Sequence, residues 1–412
     1  MDSIKTIRGI KDIVFPESGR WKKIINKVEN LLESYGYKRI FIPVIEYTGL
    51  FTRSIGEDTD IVSKEMYSFK DKKGRNLSLR PEGTAGVVRA MIDKNLLMGK
   101  IREKTYYFGP MFRYEKPQEG RYRQFYQIGC EVFGEASPEQ DAEITELALL
   151  VTVQCGCGKY KLNINSVGCE TCRAEYKKSL KIHLKNEKDK LCEDCVRRLD
   201  KNTLRILDCK KTTCKQVYKI LPEFSDYLCD NCGEYIKAYE RCLDNRGIEY
   251  RRDNLLVRGL DYYTGPVFEL EVSKEIVVAG GRYGSLVKEL GGPDVSACGW
   301  ALGLERLAAA SSIEEVNIPH VYIALLDGGH RYICRHIADA LRKYSISVEE
   351  DYEDIAPGMK LRLADRKKIR WVIIEGEKEA EEKKVTIKNM KSGEQIMVAA
   401  DNIQEIVRIV KC

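Results

Sequence analysis

Lys104-Thr105-Tyr106-Tyr107-Phe108-Gly109-Pro110-Met111-Phe112-Arg113-Tyr114, followed after a polar loop by Gln124-Phe125-Tyr126-Gln127-Ile128-Gly129-Cys130-Glu131-Val132-Phe133, decides how this chain folds. Both runs alternate along their length and are joined by Glu115–Arg123, the pattern of two paired strands. Alternation sends Ile128, Cys130 and Val132 to a face suited to burial, and Gln127, Gly129 and Glu131 to the other. The second set puts an amide and a carboxylate on either side of a residue without a side chain, which leaves room for a ligand. On the partner strand Arg113 alternates with Met111 and Gly109, where a guanidinium could hold a phosphate through two parallel hydrogen bonds. A Glu–Arg ion pair across a solvated sheet face fits the same pattern equally well.

Upstream, residues 17–35 place Trp21, Ile24, Ile25, Val28, Leu31, Leu32 and Tyr35 at helical spacing, with Gly36 to close the C-terminus. Ile40-Phe41-Ile42 reads as a strand ending at Pro43. Downstream, Ser137-Pro138-Glu139-Gln140 is a capping box that opens a helix running to about Val153. A mostly helical segment, residues 159–250, then interrupts. Strand signals return at Leu255–Leu260, Val267–Val272 and Ile276–Ala279, and Gly299–Leu307 leads into a helix. The expectation is an α+β domain over residues 1–317, an antiparallel sheet with helices around it and an inserted helical subdomain. From residue 318 to 412 strands and helices alternate: Val321–Leu326, a helix over 330–343, Trp371–Ile374, and a hairpin across Lys391-Ser392-Gly393. A last helix is capped by Asp401, and the pattern is that of a separate α/β domain.

A chain of 412 residues is too long for one ordinary core, and 43% hydrophobic with 32% charged residues describes a globular protein. No apolar run is long enough to span a bilayer, and Met1–Arg8 lacks the apolar stretch of a signal peptide, so a cytoplasmic protein is expected. The net charge of +6 is localised: residues 159–254 hold 22 Lys/Arg against 16 Asp/Glu, and the remainder balances. A basic segment on a neutral body suits a polyanionic partner, although a solvated helical face has the same composition. Of 15 cysteines, eleven lie between Cys155 and Cys242. Cys169/Cys172 and Cys192/Cys195 are separated by 19 residues, within the zinc-ribbon range, and Cys229/Cys232 adds a third Cys-x-x-Cys pair. Structural zinc and plain core packing are both open readings of these six thiols.

Several longer motifs carry a family resemblance. Pro110–Glu115 through Arg121–Phe125 resembles the second motif of class II aminoacyl-tRNA synthetases with its loop, Gly299–Arg306 the third motif, and Ile42-Pro43 the first, proline-centred motif. Leu256–Tyr263 and Ala279–Tyr283 are similar to the two histidine-specific motifs, and Leu79–Thr84 to the amino-acid-binding loop, of the histidyl-tRNA synthetases. The resemblance covers nearly the whole chain. It implies ligation of L-histidine to tRNA(His) through an adenylate, with ATP and Mg²⁺, by a homodimer formed across the first motif, and an anticodon-binding role for residues 318–412.

Carried onto this sequence, the resemblance assigns Arg113 and Arg258 to the reacting α-phosphate, Arg113 also to the histidine carboxylate, and Arg121 and Arg306 to ATP. It assigns Glu82, Gly83, Thr84 and Gln127 to the amino-acid end of the substrate. Glu131 and Tyr263 would reach the imidazole nitrogens, with Tyr262 lining the pocket. Fixed positive charge around an in-line displacement is what such chemistry needs, and four histidines in the whole chain fit a site without an imidazole nucleophile. One departure stands out: Gly284-Ser285 follows Tyr283 where the family has Asp-Gly. A regulatory subunit of histidine biosynthesis on the same fold is the main alternative, but such subunits usually lack the C-terminal domain and have decayed motifs. A zinc-dependent nucleic-acid-binding module would account for the basic, cysteine-rich segment alone.

Overall fold

In the computed structural model, residues 4–56, 59–99, 102–118, 120–134, 136–209, 211–218, 221–314, 320–325, 331–351, 353 and 355–411 are described. The two quoted runs form strands Glu103–Phe112 and Gln124–Gly134, paired antiparallel with Gly109 opposite Gln127 and Thr105 opposite Glu131. They lie within an eight-stranded sheet. Its order is Lys38–Arg39, Glu103–Phe112, Gln124–Gly134, Ser296–Gly303, Glu275–Tyr283, Pro266–Val272, Tyr160–Ser166 and Arg251–Arg252. Only the outermost pair at each edge is parallel; the interior is antiparallel.

One face of the sheet buries Ile128, Cys130, Val132, Trp300 and Leu302 against helices Glu17–Ser34, Pro138–Gln154 and Asp230–Asn245. The first helix turns Trp21, Ile24, Val28, Leu31 and Leu32 inward at three-and-four spacing, and Gly36 ends it at φ +81°, where a Cβ would be strained. The second begins where Ser137 Oγ accepts the Gln140 N–H at 3.2 Å, with Pro138 in the first turn, whose missing N–H has no helical partner to lose. The opposite face packs Tyr107, Tyr262, Tyr263 and Tyr283 against Val87, Val88 and Met91 of helix Thr84–Asp93. The candidate site lies on this second face.

Two expected strands are not formed. Ile40-Phe41-Ile42 is irregular: Ile40 N–H still reaches Tyr106 O at 2.8 Å, but the chain then leaves the sheet toward Pro43, which has no N–H to continue a ladder. Leu255–Leu260 is a loop that continues to Gly265. Its apolar run resembles a buried strand, yet side chains take its carbonyls instead. Asn165 Nδ2 donates to Leu256 O at 3.0 Å, and Arg205 and Arg173 donate to Gly259 O and Tyr263 O.

Within the segment 159–250, strand Tyr160–Ser166 belongs to the main sheet and helix Asp230–Asn245 packs in the main core. Between them, helices Glu170–Lys185, Glu193–Lys201 and Thr212–Val217 build a core of their own around Tyr176, Leu180, Ile206 and Phe224. The chain is also tied together at the ends of strands Tyr160–Ser166 and Pro266–Val272. Val167 N–H donates to Gly265 O at 2.9 Å, and Gly265 N–H donates to Gly168 O at 3.0 Å.

The chain divides into two compact units, residues 1–314 and 315–412. The second holds a five-stranded sheet in the order Ser347–Glu350, His320–Leu325, Trp371–Glu375, Lys384–Asn389 and Gln395–Ala399, with the first three strands parallel. Helices Arg331–Lys343, Pro357–Arg366 and Ile403–Lys411 accompany it. The expected boundary at 317/318, the end of a strand at Leu326 and a helix start at residue 330 lie outside the described residues. The last helix is capped by Asn402 rather than Asp401: Asn402 Oδ1 accepts the Glu405 N–H at 3.3 Å. Among the described residues no helix is long and apolar enough to cross a membrane.

Candidate active site

A cavity of about 410 Å³ opens on the second face of the large sheet. Glu82, Thr84, Arg113, Arg121, Gln127, Glu131, Arg258, Tyr262, Tyr263 and Arg306, spread over more than two hundred residues of sequence, all line it. Gly83 lies behind the wall, where the ring of Tyr107 leaves no space for a Cβ.

The floor is Glu131, buried on the central strand of the hairpin. Its carboxylate accepts a hydrogen bond from Thr84 Oγ1 at 2.7 Å and a second from the Tyr283 hydroxyl. Gly299 on the neighbouring strand makes room for that carboxylate, since a Cβ there would coincide with it. Burial pushes the Glu131 carboxyl up to about 8, against the pull of its two hydroxyl donors. Above it, Tyr262, Tyr263 and Tyr283 form an aromatic wall with ring centroids 4.8–6.5 Å apart. The space expected beside Gly129 is not free for a ligand, because the Tyr107 ring fills it.

Glu82 holds the start of helix Thr84–Asp93. Its two oxygens accept the backbone N–H groups of Thr84 and Ala85 at 2.7 and 2.9 Å, and burial raises its carboxyl above the ordinary value. Gln127 is different: the residue lines the cavity, and its Oε1 is buried without a hydrogen-bond partner.

The positive charges converge from three elements. Arg113 follows the first strand of the hairpin, anchored by Nε donating to Pro81 O at 2.8 Å and stacked 5.2 Å from the Phe125 ring centroid. Arg121, in the hairpin loop, donates from Nη1 to Glu115 Oε2 at 3.2 Å. Arg306, on helix Leu304–Ala310, donates from Nη1 to Ile276 O at 2.9 Å.

Arg258 sits in the 253–265 loop, not on a strand, 5.5 Å from the Tyr263 ring centroid. It forms an ion pair with Glu269 of strand Pro266–Val272, while its Nε is buried without a partner. Burial lowers the basicity of this guanidinium, and Glu269 together with Tyr263 and Tyr262 more than restores it. Burial likewise raises the Glu269 carboxyl.

The expected site did not include Glu269, Tyr283 as a partner of Glu131, or Tyr107. Glu269 was marked only by a carboxylate inside the otherwise apolar run Pro266-Val267-Phe268-Glu269-Leu270. Arg282, beside the departure at Gly284-Ser285, points away from the cavity: it forms a buried two-pronged pair with Asp141 at 2.7 and 2.9 Å. Gly284 N–H donates to Thr264 Oγ1 at 2.8 Å.

The cysteines meet in an unexpected pairing. Cys169 and Cys172 join Cys229 and Cys232, not Cys192 and Cys195. The latter pair joins Cys209 and Cys214, two thiols that had no assigned role. A Cys-x₄-Cys spacing was their only mark in the sequence.

An antiparallel sheet carrying an arginine-lined cavity between its hairpin loop and a following helix defines the catalytic domain of a class II aminoacyl-tRNA synthetase. The family model for histidyl-tRNA synthetase matches residues 9–307, and that for an anticodon-binding domain matches 320–409. The chain belongs to the histidyl-tRNA synthetase family. It is 42% identical to the histidine–tRNA ligase of Halothermothrix orenii over 99% of this chain and all of that one, and 44% identical to that of Aquifex aeolicus over 95% and 98%. An apo histidyl-tRNA synthetase of S. aureus superposes with a TM-score of 0.81 at 33% identity, covering all of both chains. The fold is also shared, at 19% identity and a TM-score of 0.65, by a Bacillus halodurans protein described as an ATP phosphoribosyltransferase regulatory subunit/histidyl-tRNA synthetase; 88% of this chain is covered.

Proposed function

We infer that this chain is a histidine–tRNA ligase, joining L-histidine to tRNA(His) through a histidyl-adenylate with release of pyrophosphate and AMP. The observation that carries the reading is the buried Glu131, held by Thr84 and Tyr283 beneath an aromatic wall. A carboxylate at the bottom of an aromatic pocket suits an imidazole N–H, and Tyr263 offers its hydroxyl to the second ring nitrogen. A site that pairs buried polar groups with a substrate N–H rejects analogues lacking it by about 10⁴ or more. The unpartnered Gln127 Oε1 supports an ammonium contact, with Glu82 and Thr84 adding negative and polar character beside it.

For the first step, a carboxylate oxygen of histidine attacks the α-phosphorus of ATP and pyrophosphate leaves. Arg113 would grip that phosphate and the histidine carboxylate, and Arg258, which lines the same cavity, would face it from the other side. Arg121 and Arg306 would hold the remainder of ATP. Glu115 and Glu305, which line the same end, are oxygen donors of the kind Mg²⁺ takes beside a triphosphate. In the second step a terminal ribose hydroxyl of the tRNA attacks the acyl carbon and AMP departs.

Residues 318–412 would bind the anticodon stem, and the basic inserted segment the acceptor arm. The exposed side chains Phe41, Ile45, Tyr47 and Phe69 around Pro43 support a homodimer across this apolar patch. Free thiols at every described cysteine suit the reducing cytoplasm. Zinc is the metal that the inserted segment's thiol clusters are suited to.

Amino-acid-dependent exchange of pyrophosphate into ATP, run over all twenty amino acids, tests this function. Histidine alone should support exchange. Comparable rates with glutamine or asparagine would overturn the reading of Glu131 and Tyr263, and no exchange at all would return the chain to the class of binding proteins.

A further inference from the structure

Four sulfurs collected around a point from two or more separate chain segments need a reason to be there. The inserted segment has two such sets, Cys169, Cys172, Cys229 and Cys232, and Cys192, Cys195, Cys209 and Cys214, each with its sulfurs within 4.8 Å of one another. Apolar packing does not require this, since a thiol gains as much against leucine as against another thiol. The separations are also wrong for disulfides. Cys169 Sγ lies 3.5 Å from Cys172 Sγ and Cys192 Sγ 3.9 Å from Cys209 Sγ, against about 2.05 Å in a bond. Four thiolates at about 2.3 Å from one zinc ion stand about 3.8 Å apart, close to the 3.5 and 3.9 Å of these two pairs.

The surroundings fit thiolates. Cys169, Cys192 and Cys229 each immediately precede a helix, at Glu170–Lys185, Glu193–Lys201 and Asp230–Asn245, where the helix N-terminus favours negative charge. Backbone N–H groups also point at sulfur: Cys229 N–H donates to Cys172 Sγ at 3.2 Å and Cys192 N–H to Cys214 Sγ at 3.3 Å. Such outer contacts orient ligands and stabilise their charge when a metal is bound.

We propose that the inserted segment binds two zinc ions, one in each four-cysteine cluster, and that these ions hold the helices that position the 256–264 loop of the active site. The mechanical link is short. Helix Glu170–Lys185 carries Arg173, which donates to Tyr263 O. Immediately after helix Glu193–Lys201, Asn202 Nδ2 donates to Asp261 Oδ2 at 3.0 Å, and Arg205 donates to Gly259 O. Beside the backbone bonds of Thr264 N–H to Arg282 O at 2.8 Å and Asp261 N–H to Ile55 O at 3.3 Å, these side chains are a large share of what fixes the loop. The role of the loop rests on the function proposed above; the metal content does not.

The first test is metal analysis of the full chain purified without chelator. Two zinc ions per chain are expected, one for each four-cysteine set. X-ray absorption at the zinc edge should give an all-sulfur shell at about 2.3 Å. Zero or one zinc in the wild-type chain, nitrogen or oxygen in the shell, or iron with sulfide would each overturn the proposal. Mercurial titration of the wild-type chain should release both ions, a result that does not depend on any variant folding.

Cys209→Ser and Cys214→Ser should each remove one equivalent, and Cys229→Ser the other. Full zinc in Cys209→Ser would overturn the pairing. The mechanical link is read separately, as faster amide hydrogen exchange over residues 256–264 in Cys214→Ser than in wild type. Unchanged exchange there would overturn the positioning role, whatever the metal content.

Discussion

Replacing Arg258 by alanine separates two roles that one residue combines. The guanidinium belongs to a residue lining the cavity and also neutralises Glu269, which is itself largely buried. Losing a fixed positive charge where negative charge builds in the transition state should slow adenylate formation by roughly 10²–10³. Orphaning a buried carboxylate should cost about 3–5 kcal/mol of stability, toward the lower end because a fifth of each side chain is open to water. Burial raises the Glu269 carboxyl in the folded state, so in the variant the loss should deepen as pH rises and the proton is released.

The double variant Arg258→Ala/Glu269→Gln should recover most of the stability while leaving exchange slow. The assays are histidine-dependent pyrophosphate exchange and denaturant unfolding of both variants beside wild type. If the double variant recovered near-normal exchange, Arg258 would serve only to neutralise its neighbour, and its assignment to the reacting phosphate would be refuted.

Glu131, at about 8 when folded, holds a proton that the unfolded chain releases near pH 4. Its contribution to stability is fully present below that lower value and is lost as pH rises to about 8, so wild type should weaken relative to Glu131→Gln between about pH 4 and 8 and level off above. Parallel unfolding curves would contradict the burial argument. Gln127→Ala should raise the KM for histidine by an amount equivalent to about 1–3 kcal/mol while the KM for ATP holds, and equal changes in both would remove Gln127 from the ammonium site. The exposed Lys181 and Lys185 of helix Glu170–Lys185 are expected to meet tRNA. Changing both to Glu should weaken tRNA binding and flatten its salt dependence by about 0.7–0.9 per lost phosphate contact, with adenylate formation intact. An unchanged salt slope would mean a merely solvated face.

Much of the architecture was legible because local signals and burial agreed. The alternation of Ile128, Cys130 and Val132 is the alternation of the core face, and Ser137 caps the helix that its sequence announces. The failures share a cause, which is that a distant side chain settled the local question. The apolar run at Leu255–Leu260 reads as a buried strand, but Asn165 and Arg205 take the carbonyls of Leu256 and Gly259 and it lies as a loop. Gly129 read as empty space because Tyr107 fills it from the neighbouring strand of the same hairpin. Cysteine spacing found six of the eight clustered thiols but paired them by nearness in sequence, whereas helix packing pairs them by nearness in space.

The joined ends of the inserted segment bear on how the sheet can assemble at all. Strands Tyr160–Ser166 and Pro266–Val272 are neighbours, yet the 99 residues from Val167 through Gly265 lie between them in the chain. Closing a flexible loop of that length costs about 4 kcal/mol in lost chain entropy before a single cross-strand contact forms. Part of that stretch has a core of its own and part packs on the main core, and backbone hydrogen bonds between Val167, Gly168 and Gly265 join its two ends as a short turn would. A chain in which the small cysteine-rich core forms first would meet much of that cost before the edge of the large sheet closes, and the 253–265 loop would settle with it.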